Sequence, residues 1–346
     1  MVRAAKGTVR PEQKWSVSTA EYCRICLEPG NAGEYLATLE ENFEDWADRK
    51  IEYDYDAILK EKAAEFERFY ESMPSVPAVY ADAARVAAYV DWASIVAPCG
   101  VLKRESMFMS KNWMCNVWSW DHCFNAMALA YHNPKEAWDQ FLVMFDFQKP
   151  SGNIPDSVND AKIIHNYCKP PIHGWTLRKL MGIMAISHEQ LMEAYEKLSK
   201  WTYWWLNCRD ENGDGLCEYT HGNDSGWDNA TAFAELPPVT LPDLAAFLVL
   251  QMDVLAEVAE KLGYMSDADM WKERSDKMLD KMLQVLFRDE KPIGLAGFDM
   301  TEVDCDSLIL YLPIIIGKKL PEEIRRTMIE TLKSEKFNTE YGLATE

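Results

Sequence analysis

Residues 243–286 read DLAAFLVLQMDVLAEVAEKLGYMSDADMWKERSDKMLDKMLQVL, and this stretch decides the fold. Leu244, Phe247, Leu248, Leu255, Val258 and Leu262 recur at helical spacing, with Asp243 placed to cap the start and Gly263 to stop the helix. Ser266 and Asp269 have the spacing of a capping box that opens a second helix, with Met270, Met278, Met282 and Leu286 inward. Two amphipathic helices joined by a short turn form an antiparallel pair. Outward from this pair the pattern recurs. Leu191, Tyr195, Leu198, Trp205 and Cys208 mark another helix, and Pro321 stands at a helix start ahead of Ile324, Met328 and Leu332. Further helices are expected near 17–28, 34–48, 54–73, 77–96, 119–132, 135–147, 171–186 and 305–316. Strand signals are weak, with residues 101–109 as a short hairpin arm.

Sequence-adjacent helix pairs with longer loops on alternate connections predict an all-α fold, an α/α toroid over 77–346. Residues 1–76 are charged and poor in motifs and read as a separate N-terminal helical segment. A plain helical solenoid leaves unexplained why glycine, tryptophan and aspartate concentrate in the loops 103–118, 148–170, 209–240 and 287–304.

Composition narrows the function. The 346 residues are 48% hydrophobic and carry a formal net charge of -20, which argues against nucleic acid or an anionic membrane surface as partner. No segment reads as membrane-spanning, and the N-terminus lacks the apolar core of a signal peptide. Nine cysteines, an odd number, read as free thiols in a reducing, cytoplasmic setting. Cys23 and Cys26 lie one helical turn apart on the expected helix, with no second pair to complete a zinc site. The sequence leaves the oligomeric state open.

The chemistry concentrates in His221-Gly222-Asn223-Asp224-Ser225-Gly226-Trp227-Asp228-Asn229-Ala230-Thr231 and, far upstream, in Trp118-Ser119-Trp120-Asp121. Aromatic faces beside carboxylates suit a pocket that stacks on a sugar and protonates a glycosidic oxygen. Asp228 beside Trp227 in a desolvated pocket would favour the protonated form an acid catalyst needs; its other reading is a helix cap. Asp224 reads equally as a ligand for sugar hydroxyls or as a stabiliser of the loop. Asp210, Asn212, Asp214, Gly215 and Glu218 match the first half of a calcium loop, but His221 stands where the closing bidentate glutamate belongs. That segment is either a structural calcium site or a solvated turn. The six histidines form no evident pair, which counts against proton-shuttling chemistry such as epimerisation.

Four motifs in order carry a resemblance. Trp118-Ser119-Trp120-Asp121-x-x-Phe124, Gln148-x-x-x-Gly152-Asn153-Ile154-Pro155-Asp156, Lys169-Pro170-Pro171-x-His173 and Gly222-Asn223-Asp224-Ser225-Gly226-Trp227-Asp228-Asn229 resemble the trehalase-like glycosidases. That group includes mannosyl-oligosaccharide glucosidases of glycoside hydrolase family 63 and mannosylglycerate hydrolase-like enzymes. The resemblance implies an (α/α)6 barrel and an inverting hydrolase of α-glycosides that requires no cofactor. It implies Asp228 as general acid, and Trp118, Trp120, Asp121, Gln148, Asn153, Asp156, Lys169, Asp224 and Trp227 around a small carbohydrate. The family's general base lies toward the C-terminus, past a Trp-Arg-Gly-Pro motif that this chain lacks. The chain is therefore expected to be truncated, with about nine of twelve barrel helices and with Glu346 at most lining the pocket. The alternatives are an inactive carbohydrate-binding toroid and an epimerase-like protein.

Overall fold

The computed structural model describes residues 1–40, 54–110, 112–131, 133–234 and 237–346. The chain divides into two compact units, Met1–Arg68 and Phe69–Glu346, where the sequence reading put the boundary at 76/77.

The first unit corrects the sequence reading. Strands β1 (Val2–Lys6), β2 (Thr8–Ser16), β3 (Thr19–Glu28) and β4 (Leu36–Leu39) precede helix α1 (Tyr55–Ser72), which runs across the division. β2 and β3 form a hairpin with Val9 opposite Leu27 and Pro11 opposite Ile25. The intervening Arg10, Glu12 and Arg24 occupy the other face, where Arg10 pairs with Glu28 at 2.8 Å. This alternation has a period of two, so the helix expected at 17–28 is a strand. Cys23 and Cys26, three apart on β3, therefore face opposite sides of the ribbon. Residues 34–40 of the helix expected at 34–48 carry β4, and its remainder lies outside the described residues.

The second unit is built of helices. In order these are α2 (Ala81–Ser94), α3 (Asp121–Leu129), α4 (Pro134–Leu142), α5 (His173–Ile183), α6 (His188–Cys208), α7 (Gly222–Ser225), α8 (Pro242–Leu262), α9 (Met265–Val285) and α10 (Glu322–Lys333). A 3-10 stretch over Leu308–Lys319 breaks at Gly317. Helices α3, α5, α8 and Leu308–Lys319 pack one against the next; α4 backs α3, α6 and α9 back α8, and α10 backs Leu308–Lys319. The short strands β5 (Ile95–Val96) and β6 (Ser106–Met107) pair, realising the arm expected at 101–109 with a partner outside it. β7 (Val117–Trp118), β8 (Ser157–Val158) and β9 (Ile163–Ile164) form a three-stranded sheet.

Helix α8 is the centre of this arrangement. Apart from Asp253, Glu257, Glu260 and Lys261 it is buried along its length, as a helix with neighbours on every side must be. Its Gln251 side chain accepts from the Gly174 amide of α5 at 3.0 Å and donates to Thr202 Oγ1 of α6 at 2.9 Å. The α5 backbone comes so close that a Cβ on Gly174 would lie 2.6 Å from Gln251 Cα. Trp201, Trp205 and Trp271 fill the layer behind, fully buried.

Two expected caps are not the caps used. Pro242 occupies the first turn of α8 behind Leu241, and Asp243 turns inward, where its Oδ2 accepts from the Tyr219 hydroxyl at 2.8 Å. The next helix starts at Met265 behind Tyr264, before the Ser266–Asp269 box. The capping box that does form belongs to α6, with Ser187 and Gln190 bonding each other's backbone amides. Pro321 is the residue that precedes α10.

Gly174→Ala forces α5 and α8 apart, and overpacking of this kind costs about 1–3 kcal/mol; urea denaturation is expected to show the loss. Burial raises the Asp243 carboxyl from 3.8 to about 7. A carboxyl raised in the fold adds stability that is complete below its unfolded value and lost as pH rises through 7. Asp243→Asn removes that ionisation and keeps an acceptor for Tyr219. The stability gained over wild type is expected to be larger at pH 8 than at pH 5, as measured by denaturant midpoints at the two pH values.

Candidate active site

One cavity of about 450 Å³ opens among the loops that join the helices of the second unit, and its walls include Trp118, Trp120, Asp121, Asp156, Lys169 and Asp228. Local folding explains how these residues meet. Trp118 ends β7, which pairs with β8, so the residue preceding β8, Asp156, lies beside it. The Ser119 amide closes this junction on the Asp156 carbonyl at 3.0 Å. Trp120 precedes the first turn of α3, and Asp121 opens the helix, where the free amides favour a negative charge. Lys169 is held extended by Pro170. Asp228 follows the four-residue helix α7 and the left-handed Gly226. Trp120 lies against this turn so tightly that a Cβ on Gly226 would sit 2.3 Å from its indole ring.

Among the described residues three carboxylates and one ammonium line the cavity. Asp156 is 2% exposed and its Oδ1 has no hydrogen-bond partner; Lys169 Nζ faces it at 3.4 Å, an ion pair too long for a good hydrogen bond. Burial pushes the Asp156 carboxyl up, Lys169 pulls it down, and the charges of Asp224 and Asp228 push it up further. Burial also raises Asp121, against its own backbone amide and Lys169. Lys169 itself is 6% exposed and donates to the Asn223 carbonyl.

Other expected site residues serve the frame. Asp224 is 1% exposed with both oxygens engaged. Oδ1 accepts from the Cys168 amide at 3.0 Å; Oδ2 accepts from the Thr220 amide at 3.1 Å and the Thr220 hydroxyl at 3.0 Å. Arg209 stands 3.8 Å from Oδ2. Gln148 donates to the carbonyls of Gly152 and Lys197, and Asn153 bonds His165. Trp227 is half-buried, and its amide donates to the Ser225 hydroxyl. Glu346 accepts from the Thr231 amide. None of these five side chains lines the cavity. Asp228 is exposed, so the desolvated setting expected beside Trp227 is not the one the chain adopts. Residues 230–233 hold a short 3-10 turn behind Ala230, which leaves Asp228 free of the capping role.

In the acidic loop, Asp210 Oδ1 and Asn212 Oδ1 accept from the Asp214 amide, Asp210 Oδ2 accepts from Gly215, and Asp214 Oδ1 accepts from Leu216. Glu218 accepts from the Glu211 amide at 3.0 Å.

Sequence reasoning missed Met109, Ser110, Met114, Asn166, Tyr167 and Asn223 in the cavity wall. Of these, Asn223 lies inside a motif already singled out and Tyr167 adjoins one. It also missed a histidine pair. His122 and His173 meet in the core, Nε2 to Nε2 at 3.1 Å. The Gln140 carbonyl, 2.7 Å from His122 Nδ1, can only accept, so Nδ1 carries the proton and Nε2 receives one from His173. Burial lowers His122 to about 4 and His173 well below its usual value, so both are neutral. His132 lies outside the described residues.

Paired helices present an aromatic and acidic cavity at their connecting loops. Residues 114–346 match the model of the mannosylglycerate hydrolase MGH1-like glycoside hydrolase domain, and the chain belongs to that family. It is 23% identical over 193 residues to mannosylglycerate hydrolase MGH1 of Selaginella moellendorffii, a match that spans 49% of this chain and 37% of the relative. The GH63 mannosylglycerate hydrolase of Thermus thermophilus, solved in complex with Tris and D-glycerate, superimposes with a TM-score of 0.60 at 16% identity, covering 71% of this chain and 75% of that one. The GH78 rhamnosidase of Bacillus sp. GL1 shares the fold at a TM-score of 0.52 and 14% identity, covering 65% of this chain and 23% of that one.

Asp224→Ala strips a buried charged acceptor from three donors and deprives Arg209 of its carboxylate. It is expected to destabilise the second unit by about 3 kcal/mol, and Asp224→Asn by less; chemical denaturation of the two variants checks the order.

Proposed function

We propose that the chain is the catalytic part of an inverting glycoside hydrolase acting on the α-glycosidic bond of a small glycoside, and that its helices belong to an (α/α)6 barrel. One observation carries the reading: two tryptophans and three carboxylates share one cavity in a chain of this family. Trp118 and Trp120 offer faces for a pyranose ring to stack on, and Asp121 and Asp156 accept its hydroxyls. Asp156 Oδ1, buried and without a hydrogen bond, is suited to one such hydroxyl. Asp228 donates the proton to the leaving oxygen. Its exposure fits an acid that meets a leaving group entering from solvent. No general base is assigned, and Glu346 is not given that role.

The relatives' names point to mannosylglycerate as the kind of substrate to try first. The net charge of -20 argues against nucleic acid and anionic membranes as partners, and the free cysteines fit a cytoplasmic enzyme. No cofactor enters this chemistry. Calcium at Asp210, Asn212 and Asp214 would be structural, and a rise in the melting midpoint with calcium that a chelator reverses is its test. The epimerase alternative gains nothing from His122 and His173, which are neutral, buried and outside the cavity wall.

Asp228→Asn keeps the shape and removes the proton. Turnover of a glycoside with a poor leaving group is expected to fall by about 10²–10⁴, while an activated aryl glycoside loses much less. The wild-type product, followed by NMR from the first turnover, is expected with inverted anomeric configuration. Equal losses on both substrates would remove Asp228 as the acid, and retained configuration would remove the inverting mechanism.

A further inference from the structure

We propose that Lys169 is a positioning residue of this site: its ammonium group locks the loop that carries Asp228 and stands against the buried carboxylate of Asp156. The inference rests on the sugar-site reading above and assigns Lys169 a role other than direct contact with substrate.

The Asp228 carboxylate makes no hydrogen bond or ion pair among the described residues, so its place is set by the backbone of its loop. Two successive residues grip that loop from one side. The Cys168 amide bonds the Asp224 carboxylate, and the Lys169 ammonium bonds the Asn223 carbonyl. From the other side Trp120 presses on Gly226. Among the described residues Lys169 is thus the one cation in the cavity wall, and it is spent on a protein carbonyl. An ammonium ion has three donors. One goes to Asn223, the Asp156 carboxylate faces the group at 3.4 Å, and the Tyr167 ring lies beside it at 5.9 Å.

The electrostatics point the same way. The charges around Lys169 are Asp121, opening α3; Asp156, before β8; and Asp224 and Asp228 on the Gly222–Asp228 turn. Arg209, the other nearby cation, is paired to Asp224. Burial drives both Asp121 and Asp156 toward the neutral acid, and Lys169 opposes this in each. A protonated carboxyl loses acceptor capacity toward sugar hydroxyls. Removing the ammonium therefore does two separable things: it frees the Asp228 loop and it raises the pH at which the two carboxylates ionise.

The variants are Lys169→Met and Lys169→Arg. In Lys169→Met, kcat on a glycoside with a poor leaving group is expected to fall about 10²-fold, the loss that a small misplacement of a reacting group produces. KM changes less, and the acidic limb of kcat/KM moves to higher pH. Lys169→Arg keeps the charge and is expected to keep the limb where it is. A second readout is independent of turnover: carboxyl-carbon NMR titration is expected to place Asp121 and Asp156 at higher pKa in Lys169→Met than in wild type. If the titrations move but no glycoside is turned over by wild type, the positioning role stands and the sugar-site reading falls. If Lys169→Met raises KM with kcat and limb unchanged, Lys169 binds substrate and the proposal is overturned. If it only lowers the melting midpoint and the titrations stay fixed, the residue is merely structural and the proposal is likewise overturned.

Discussion

A single buried carboxylate, that of Asp224, holds the site together. Four groups from three stretches of chain converge on it: the Cys168 amide before α5, the Arg209 guanidinium at the end of α6, and the amide and hydroxyl of Thr220. A charge taken this far from water is costly unless it is paired and hydrogen-bonded. The network meets that condition, and in doing so fixes the relative position of loops that share no secondary structure. Arg209 extends the clamp further. It donates to the Thr220 hydroxyl and stacks over Trp204 at 5.2 Å, so the end of a long outer helix is tied to the turn that presents Asp228.

With the frame fixed from beneath, the cavity can hold charges that oppose one another. Asp121 and Asp156 are partly removed from water, and both are shifted toward neutrality by it. Their usefulness as acceptors depends on how far neighbouring charge offsets that shift. Trp120 has a comparable double duty. Its indole lines the cavity, is wedged against Gly226, and meets Phe124 edge-on at 6.0 Å. A residue at 226 with a side chain would displace the ring, and the left-handed φ of 72° disfavours one there in any case. Backbone conformation, aromatic packing and the shape of the cavity wall are here one constraint.

Much of this was legible in the sequence, for a definite reason. Helices α6, α8 and α9 have apolar residues at a period near 3.6, and the motif-bearing segments fall in the loops before α3, between α4 and α5, and between α6 and α8. The motifs at 118–121, 156, 169 and 226–228 do converge. What failed was of two kinds. In β2 and β3 the alternation is partly masked by charges, because one face of the ribbon carries Arg10, Glu12 and Arg24, and the stretch was read at the wrong period. Elsewhere the deciding partner was distant. Asp243 looks like a helix cap until Tyr219 is placed against it, and His122 looks solitary until α5 brings His173 within 3.1 Å. Asp224 and Asp228 sit four residues apart in one motif, yet one is buried and the other exposed. Local sequence could not separate a residue that binds the loop from one that faces solvent.

That division of labour between Asp224 and Asp228 suits the proton-donor role proposed for Asp228. A proton donor has to meet a substrate arriving from water, so it cannot be buried in a network of its own. It also has to be placed within a fraction of an ångström, so it cannot sit on a loose loop. A four-residue helix ended by a left-handed glycine turns the chain sharply enough to put one carboxylate beneath and the next at the surface. The hydrogen bonds that would immobilise Asp228 directly are instead made by its neighbours: Asp224 through its side chain, Asn223 through its carbonyl, and Trp227 through the Ser225 hydroxyl. The exposed carboxylate thus keeps its oxygens free, while its position is set by the hydrogen bonds of its neighbours.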